Sequence, residues 1–259
     1  MTPETALDHL AAIAARNPGL IVAVSGGVDS LTLATALGRS TPGLRVAHSV
    51  SPAVPPEATA RVREMAAREG WTLLELDTGE FADPDYLANP ANRCYFCKSN
   101  LYTRILARTG GPVASGTNLD DLGDYRPGLA AAAEAGVIHP FVEAGLAKPD
   151  VRALARHLGL PDIARLPAQP CLSSRVETGL PIRRADLAFI HHIETLVQGH
   201  VDGGDIRCRI TAEGVRLELS ALSTSMVHDL VALECAAEGR PFLGISPYRR
   251  GSAFLRDPT

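Results

Sequence analysis

Residues 20–39 read "LIVAVSGGVDSLTLATALGR", and the fold turns on how that stretch divides. Leu20 to Val24 is a short unbroken apolar run of the kind buried in a parallel sheet, and "LTLATALGR" reads as a helix. Between them lies "SGGVDS", a pair of glycines closed by an acid and a hydroxyl. A strand, a glycine turn and a helix in that order aim backbone N–H groups at whatever sits on the helix N-terminus, which favours an anion. A Walker A loop carries lysine and Ser or Thr after its last glycine, and this loop has neither there. What it offers is the small residues Gly26 and Gly27, the hydroxyls of Ser25 and Ser30, and Asp29 as a carboxylate for Mg2+. These are the parts needed to grip pyrophosphate.

Outward from that loop the chain alternates. "LRVAHSV" is a second strand, "PPEATARVREMAAREG" a helix opened by proline and closed by glycine, and "WTLLELD" a third strand. "DPDYLANPANRCYFCKSNLYTRILART" begins as a loop and becomes helical near Cys94, after which "PVASGTN" is a short buried strand. Such alternation predicts an α/β fold, a parallel sheet flanked by helices. Ligands of open α/β sheets bind at the carboxyl ends of the strands, and both "SGGVDS" and "SGTNLDD" (115–121) belong there. Thr117 and Asp121 of the second loop therefore join the candidate nucleotide-binding set, with Asp120 beside them. "KPDVRALARHLGL" is a further helix, followed by the irregular "PDIARLPAQPCLSSRVETGLP". From about residue 184 the pattern changes to a helix, a pair of alternating strands, a helix and a last short strand. The expected division is a larger α/β domain over 1–182 and a smaller α+β domain over 183–259.

The 259 residues leave room for that arrangement, and hydrophobic residues at 46% with charged residues at 21% are ordinary for a globular chain. A formal charge of −4 supplies no general attraction to nucleic acid or anionic membrane, so DNA is not an expected partner and tRNA would need a local basic patch. No apolar run approaches the roughly 18 residues of a membrane helix, and Glu4 and Asp8 stand where a signal peptide would be basic. The reading is a cytoplasmic protein without membrane contact.

Of five cysteines, Cys208 and Cys235 fall inside a predicted strand and helix and read as core. Cys94 and Cys97 form C-x-x-C at a helix start, and Cys171 lies in "AQPCLSSR". Three thiolates suit an iron-sulfur cluster with one open iron better than a closed zinc site, although a packed pair or a zinc site completed by histidine fits the spacing too. Cys171, next to Ser173, Ser174 and Arg175, reads as a reactive sulfur. Lys98 follows the second cysteine and is a candidate to steady developing phosphate charge, and Arg126 and Arg175 are candidates for a substrate carboxylate or phosphate. Arg207 and Arg209 alternate along "DIRCRIT", which as a pattern is the solvated face of a strand.

"SGGVDS" after a first strand resembles the PP-loop ATP pyrophosphatases, the adenine nucleotide alpha hydrolase-like, Rossmann-like fold, which cleave ATP between its α and β phosphates. With "NPANRCYFCKSNLY", "YRPGLAAAAEAGV", "GLPDIARLPAQPCLSSR" and the late "YRRGS", the chain resembles the LarE family, the ATP-dependent sulfur transferases that build the nickel-pincer nucleotide of lactate racemase. The resemblance is closest over residues 20–180. It implies that ATP, with Mg2+, adenylates a carboxylate of pyridinium-3,5-biscarboxylic acid mononucleotide, and that sulfur then displaces AMP to leave a thiocarboxylate. It places Cys171 on the sulfur that some members sacrifice, and the C-x-x-C with those that use a [4Fe-4S] cluster held by Cys94, Cys97 and Cys171. Arg207 and Arg209 fall where the family contacts its substrate's phosphate. The resemblance also implies a homo-oligomer, with substrate binding and oligomerisation in the smaller domain. The chain departs from the family at "VETG" after "CLSSR" and at Gly244, where aspartate is usual.

Two other readings start from the same residues. A PP-loop enzyme of tRNA thiolation also joins such a loop to three cysteines, but the −4 charge and the lack of an added RNA module speak against it. A regulatory protein that binds adenine nucleotide without catalysis would leave Cys171 and the C-x-x-C without a purpose.

Overall fold

The computed structural model describes residues 1–123, 126–220 and 225–248. In chain order these form helix α1 (Pro3–Arg16), strand β1 (Ile21–Ala23), α2 (Val28–Ser40), β2 (Arg45–Ser49), α3 (Pro56–Glu69), β3 (Thr72–Leu76), the single turn α4 (Pro84–Leu87) and α5 (Arg93–Thr109). There follow β4 (Val113–Ser115), α6 (Pro127–Glu134), the single turn α7 (Pro140–Glu143), α8 (Lys148–His157), α9 (Pro161–Arg165), α10 (Arg184–Gln198), β5 (Ile206–Ile210), β6 (Val215–Leu219), α11 (Ser225–Ala237) and β7 (Phe242–Pro247). Contacts divide the chain into two compact units. One comprises Met1–Glu80 and Asn92–Gln169, the other Phe81–Ala91 and the chain from Pro170 on.

The first unit is the expected α/β, Rossmann-like fold. Its four strands run parallel in the order β3-β2-β1-β4, with Val22 opposite both Val46 and Ala114. β1 is central, and Ile21 and Val22 are wholly buried, which is why the sequence there is apolar without alternation. Every residue of α2 from Val28 to Leu37 apart from Asp29 is buried, so that helix lies inside the unit. Its two threonines stay satisfied by donating to the carbonyls of Val28 and Leu31 one turn back, at 2.6 and 2.9 Å. The chain leaves β1 for β2 on one side, and β4 takes the other side. That reversal opens a crevice at the carboxyl ends of β1 and β4.

The second unit is a small α+β arrangement. β5 and β6 form the expected antiparallel hairpin, and β7 pairs parallel to β6 with an irregularity between Val215 and Leu217. Gly244 of β7 sits at φ +93°, a conformation that suits glycine and strains the aspartate usual in the resembled family. Leu187, Ile190 and Ile193 of α10, Cys208 of β5, Leu217 of β6 and Val227, Val231 and Cys235 of α11 are completely buried. The division falls at Gln169/Pro170, upstream of the boundary expected near residue 182. Hydrogen bonds account for the shift: the Asn89 amide donates to the carbonyls of Glu177 and Leu180 at 2.8 and 2.9 Å, and the hydroxyls of Tyr86 and Ser173 meet at 2.7 Å. Residues 170–182 thus belong with 81–91, and Val176 bridges to Ile210 of β5. The end of "YRRGS" lies outside the described residues, as does Tyr125 of "YRPG". Among the described residues no helix is long and apolar enough to cross a membrane.

Candidate active site

The glycine loop occupies the carboxyl end of β1. Gly26 takes φ +82°, and a methyl group on it would come within 2.7 Å of the Ala58 carbonyl oxygen, so both conformation and space call for glycine. Gly27 caps α2 without any side-chain partner, leaving the helix N-terminus to backbone N–H groups. Ser30 Oγ donates to the Gly27 carbonyl at 3.3 Å and accepts from the Ser25 N–H at 3.1 Å, while the Ser25 and Ser30 hydroxyls stand 3.3 Å apart. Those bonds close the loop on itself.

The loop after β4 comes to meet it. A methyl at Gly116 would approach the Asp29 carbonyl carbon and the Ser30 nitrogen to 2.8 Å, so the two loops touch through backbone. Asn118 donates to Asp29 Oδ1 at 3.3 Å, and Lys148 at the start of α8 donates to Asp29 Oδ2 at 2.5 Å. The Asp120 carboxylate accepts from the Lys148 backbone N–H at 3.1 Å. Asp121 accepts from the Asn118 backbone at 3.1 Å and pairs with Arg126 at 2.8 Å. Thr117 and Ser115 share a hydroxyl contact at 2.9 Å, and Ser115 in turn meets His139 Nδ1 at 2.9 Å. Burial lowers the pKa of His139, which keeps its imidazole neutral near pH 7. A lysine ammonium, a carboxylate and open helix N–H groups in one crevice are suited to a polyphosphate and its divalent cation.

Elsewhere in the first unit, Cys94 and Cys97 lie in the opening turns of α5, both half-buried. Lys98 follows them, its Nζ 5.8 Å from the Tyr102 ring centroid and its stem against Gly128 of α6.

In the second unit Cys171 precedes a short 3-10 turn, Leu172–Arg175. Its thiol is free and half-buried. Arg175 is buried and spends its guanidinium on the protein: Nε and Nη2 donate to the two oxygens of Glu194 at 2.9 and 3.0 Å, and Nη1 to the carbonyls of Pro170 and Cys171 at 2.6 and 3.2 Å and to the Ser174 hydroxyl at 3.1 Å. Glu194 Oε1 also accepts from the Cys208 N–H at 2.9 Å. Arg175 therefore shapes the turn that carries Cys171. Replacing it with alanine leaves the half-buried Glu194 without its cation, and is expected to cost about 2 kcal/mol of stability. Chemical denaturation checks that figure, and a loss within experimental error would contradict the structural role.

Arg207 and Arg209 do not form a solvated strand face. Arg207 is buried, bound to Asp205 at 2.8 Å and to the Ile206 carbonyl at 2.8 Å, with its guanidinium 5.2 Å from the Tyr248 ring centroid. Arg209 pairs with Glu218 at 3.0 Å and donates to the Ser174 carbonyl at 2.8 Å. The alternating pattern misleads because cross-strand acids and main-chain oxygens satisfy these cations inside the unit. Cys208 and Cys235 are core residues as expected, and burial raises both thiol pKa values, Cys208 well above the ordinary range. Among the described residues no three His, Cys, Asp or Glu side chains are gathered as a metal-binding group.

The chain matches no family model. It is 36% identical over 224 residues to an uncharacterized protein of Synechocystis sp., covering 83% of this chain and 82% of that one. It is 30% identical over 199 residues to an uncharacterized protein of Methanocaldococcus jannaschii, with 75% of each chain covered. Against the pyridinium-3,5-bisthiocarboxylic acid mononucleotide synthase of Lactiplantibacillus plantarum it is 32% identical over 208 residues, covering 76% of this chain and 73% of the synthase. The chain belongs to this synthase family.

Within this synthase-family chain the structure gathers Ser25, Gly26, Gly27, Asp29, Ser30, Thr117 and Asp121 around the crevice at β1 and β4. Cys171, Ser174, Arg175, Arg207 and Arg209 fall in the second unit. Sequence reading missed Lys148, whose partner Asp29 lies 119 residues earlier, a separation that no local pattern reports. It also missed Asn118, His139 and Arg61, the last donating to the Gly26 carbonyl at 2.7 Å.

Proposed function

We propose that this synthase-family chain is an ATP-dependent sulfur transferase for nickel-pincer nucleotide synthesis. The observation that carries the reading is the crevice in which Asp29, Lys148 and the open N-terminus of α2 meet behind a glycine loop. A substrate carboxylate oxygen attacks the α phosphorus of ATP, the bond to the bridging oxygen breaks, and pyrophosphate leaves. The N–H groups at Gly27 and α2 and the Lys148 ammonium take up the charge of that leaving group, and Asp29 and Asp121 are the carboxylates that would hold Mg2+. Adenylation replaces hydroxide, a poor leaving group, with AMP. Sulfur then adds to the carbonyl carbon, the bond to AMP breaks, and a thiocarboxylate remains. The Lactiplantibacillus relative is named for a bisthiocarboxylic product, which supports pyridinium-3,5-biscarboxylic acid mononucleotide as the acceptor.

Cys171 supplies or presents the sulfur. In the sacrificial form its Cβ–S bond breaks and the Cα proton leaves, giving dehydroalanine. In the recycling form Cys94, Cys97 and Cys171 would hold a [4Fe-4S] cluster, which would supply an open iron for added hydrosulfide. All three cysteines are half-buried, which is compatible with either form.

Purified protein supplied with MgATP and pyridinium-3,5-biscarboxylic acid mononucleotide is expected to release pyrophosphate only when the acceptor is present, and to yield a thiocarboxylate by mass spectrometry. ATP binding without acceptor-dependent pyrophosphate would favour the regulatory reading. Pyrophosphate released with tRNA in place of the mononucleotide would favour tRNA thiolation.

A further inference from the structure

The glycine loop is braced from behind by α3 and β2, and none of the residues that do so belongs to the loop itself. Arg61 Nη1, in the second turn of α3, donates to the Gly26 carbonyl at 2.7 Å and to the Gln169 side-chain oxygen at 3.2 Å. One turn earlier, the Ala58 carbonyl lies against the Gly26 Cα, closely enough to exclude any methyl group. Thr59 meets His48 Nε2 at 2.9 Å, and His48 Nδ1 stands 2.9 Å from the Val24 carbonyl, the residue that leads β1 into the loop. The acceptor on the Nδ1 side is a carbonyl, so Nδ1 carries the proton and Nε2 accepts from the Thr59 hydroxyl. His48 is only 1% exposed, and Thr59 7%. Each tie grips a carbonyl or Cα of the segment from Val24 to Gly26. A loop that binds phosphate with its N–H groups turns its carbonyls away from the ligand, and those carbonyls are the atoms held here.

We infer that Arg61, with His48 and Thr59, positions the phosphate-gripping loop, so that Arg61 sets affinity for the polyphosphate of ATP and not for its nucleoside. This rests on the reading of the loop as an ATP site. The guanidinium bonded to the Gly26 carbonyl fixes the left-handed turn before ligand arrives, so binding need not order it. It also places a cation behind the peptide units that face the phosphates.

The test compares Arg61→Ala, Arg61→Lys and the unaltered protein by calorimetric titration with MgATP, pyrophosphate and adenosine, beside thermal melting. Arg61→Ala is expected to weaken MgATP and pyrophosphate binding roughly tenfold, the scale of one charge-assisted hydrogen bond, with adenosine binding unchanged. Arg61→Lys is expected to recover part of that loss, since an ammonium still donates to the carbonyl. His48→Gln is expected to shift the same two ligands in the same direction. Equal affinities for MgATP in Arg61→Ala and unaltered protein would overturn the positioning role, as would an equal loss for all three ligands, which marks a general structural effect. Failure of the unaltered protein to bind MgATP would instead overturn the proposed function on which the inference stands.

Discussion

Cys171→Ala is expected to abolish thiocarboxylate formation, by roughly 10³-fold or more, while acceptor-dependent pyrophosphate release persists for a single turnover. The two halves of the reaction use different residues. In the proposed reaction adenylation would draw on the crevice of the first unit, whereas Cys171 belongs to the second. Cys171 Sγ makes no hydrogen bond among the described residues, and the turn that carries it is held by Arg175 and Glu194 through main-chain atoms. Alanine therefore removes the sulfur without removing what shapes its surroundings, and the melting temperature is expected to stay close to that of the unaltered protein. Mass spectrometry of product and quantitation of pyrophosphate check both statements. The companion variant Cys97→Ala separates the two sulfur sources. Loss of reconstituted iron and of multiple turnovers, with one turnover retained, is the recycling result; unchanged iron-free chemistry with Cys171 converted to dehydroalanine is the sacrificial one. Full thiocarboxylate yield from Cys171→Ala would remove this residue from the reaction.

Asp29→Asn is expected to lower the rate of acceptor-dependent pyrophosphate release about 10³-fold with ATP binding far less affected. Asp29 would hold a divalent cation beside the charge that develops as the bond to the leaving oxygen breaks, and charge stabilisation of that kind is worth several kcal/mol at the transition state. The substitution also deletes a negative charge beside the triphosphate and frees Lys148, now 2.5 Å from the carboxylate, to pair with phosphate. Binding of ATP without Mg2+ is accordingly expected to tighten, and the dependence of rate on Mg2+ to weaken. Steady-state kinetics across a Mg2+ series, with titrations of free and Mg2+-bound ATP, reads both effects. A proportional fall in kcat and affinity would show that Asp29 merely holds the loop together.

The strand, glycine turn and helix of residues 20–39 were legible because each element obeys its own periodicity and the loop between them carries its own chemistry. Burial of Ile21 and Val22 on both faces of the sheet is what leaves an apolar run without alternation, so pattern and cause coincide. Other features left no such mark. Lys148 reaches Asp29 across 119 residues, and in sequence it is only the first residue of an amphipathic helix. The pairing of Arg175 with Glu194 and of Arg209 with Glu218 left none either, because charge is visible in a sequence and its compensation is not. The boundary near residue 182 was drawn where periodicity changes. The true division follows hydrogen bonds from Asn89 to the 177–180 turn, a pairing of distant irregular segments that has no period to detect.

Isotope transfer distinguishes activation of a carboxylate by adenylation at this crevice from every other route to the product. Acceptor labelled with oxygen-18 in its carboxylates is incubated with MgATP and a sulfur source, and the released AMP and pyrophosphate are weighed. One labelled oxygen is expected in AMP and none in pyrophosphate, because the oxygen that attacks the α phosphorus would depart with AMP when sulfur takes its place. Unlabelled AMP, or label appearing in inorganic phosphate or pyrophosphate, would contradict it.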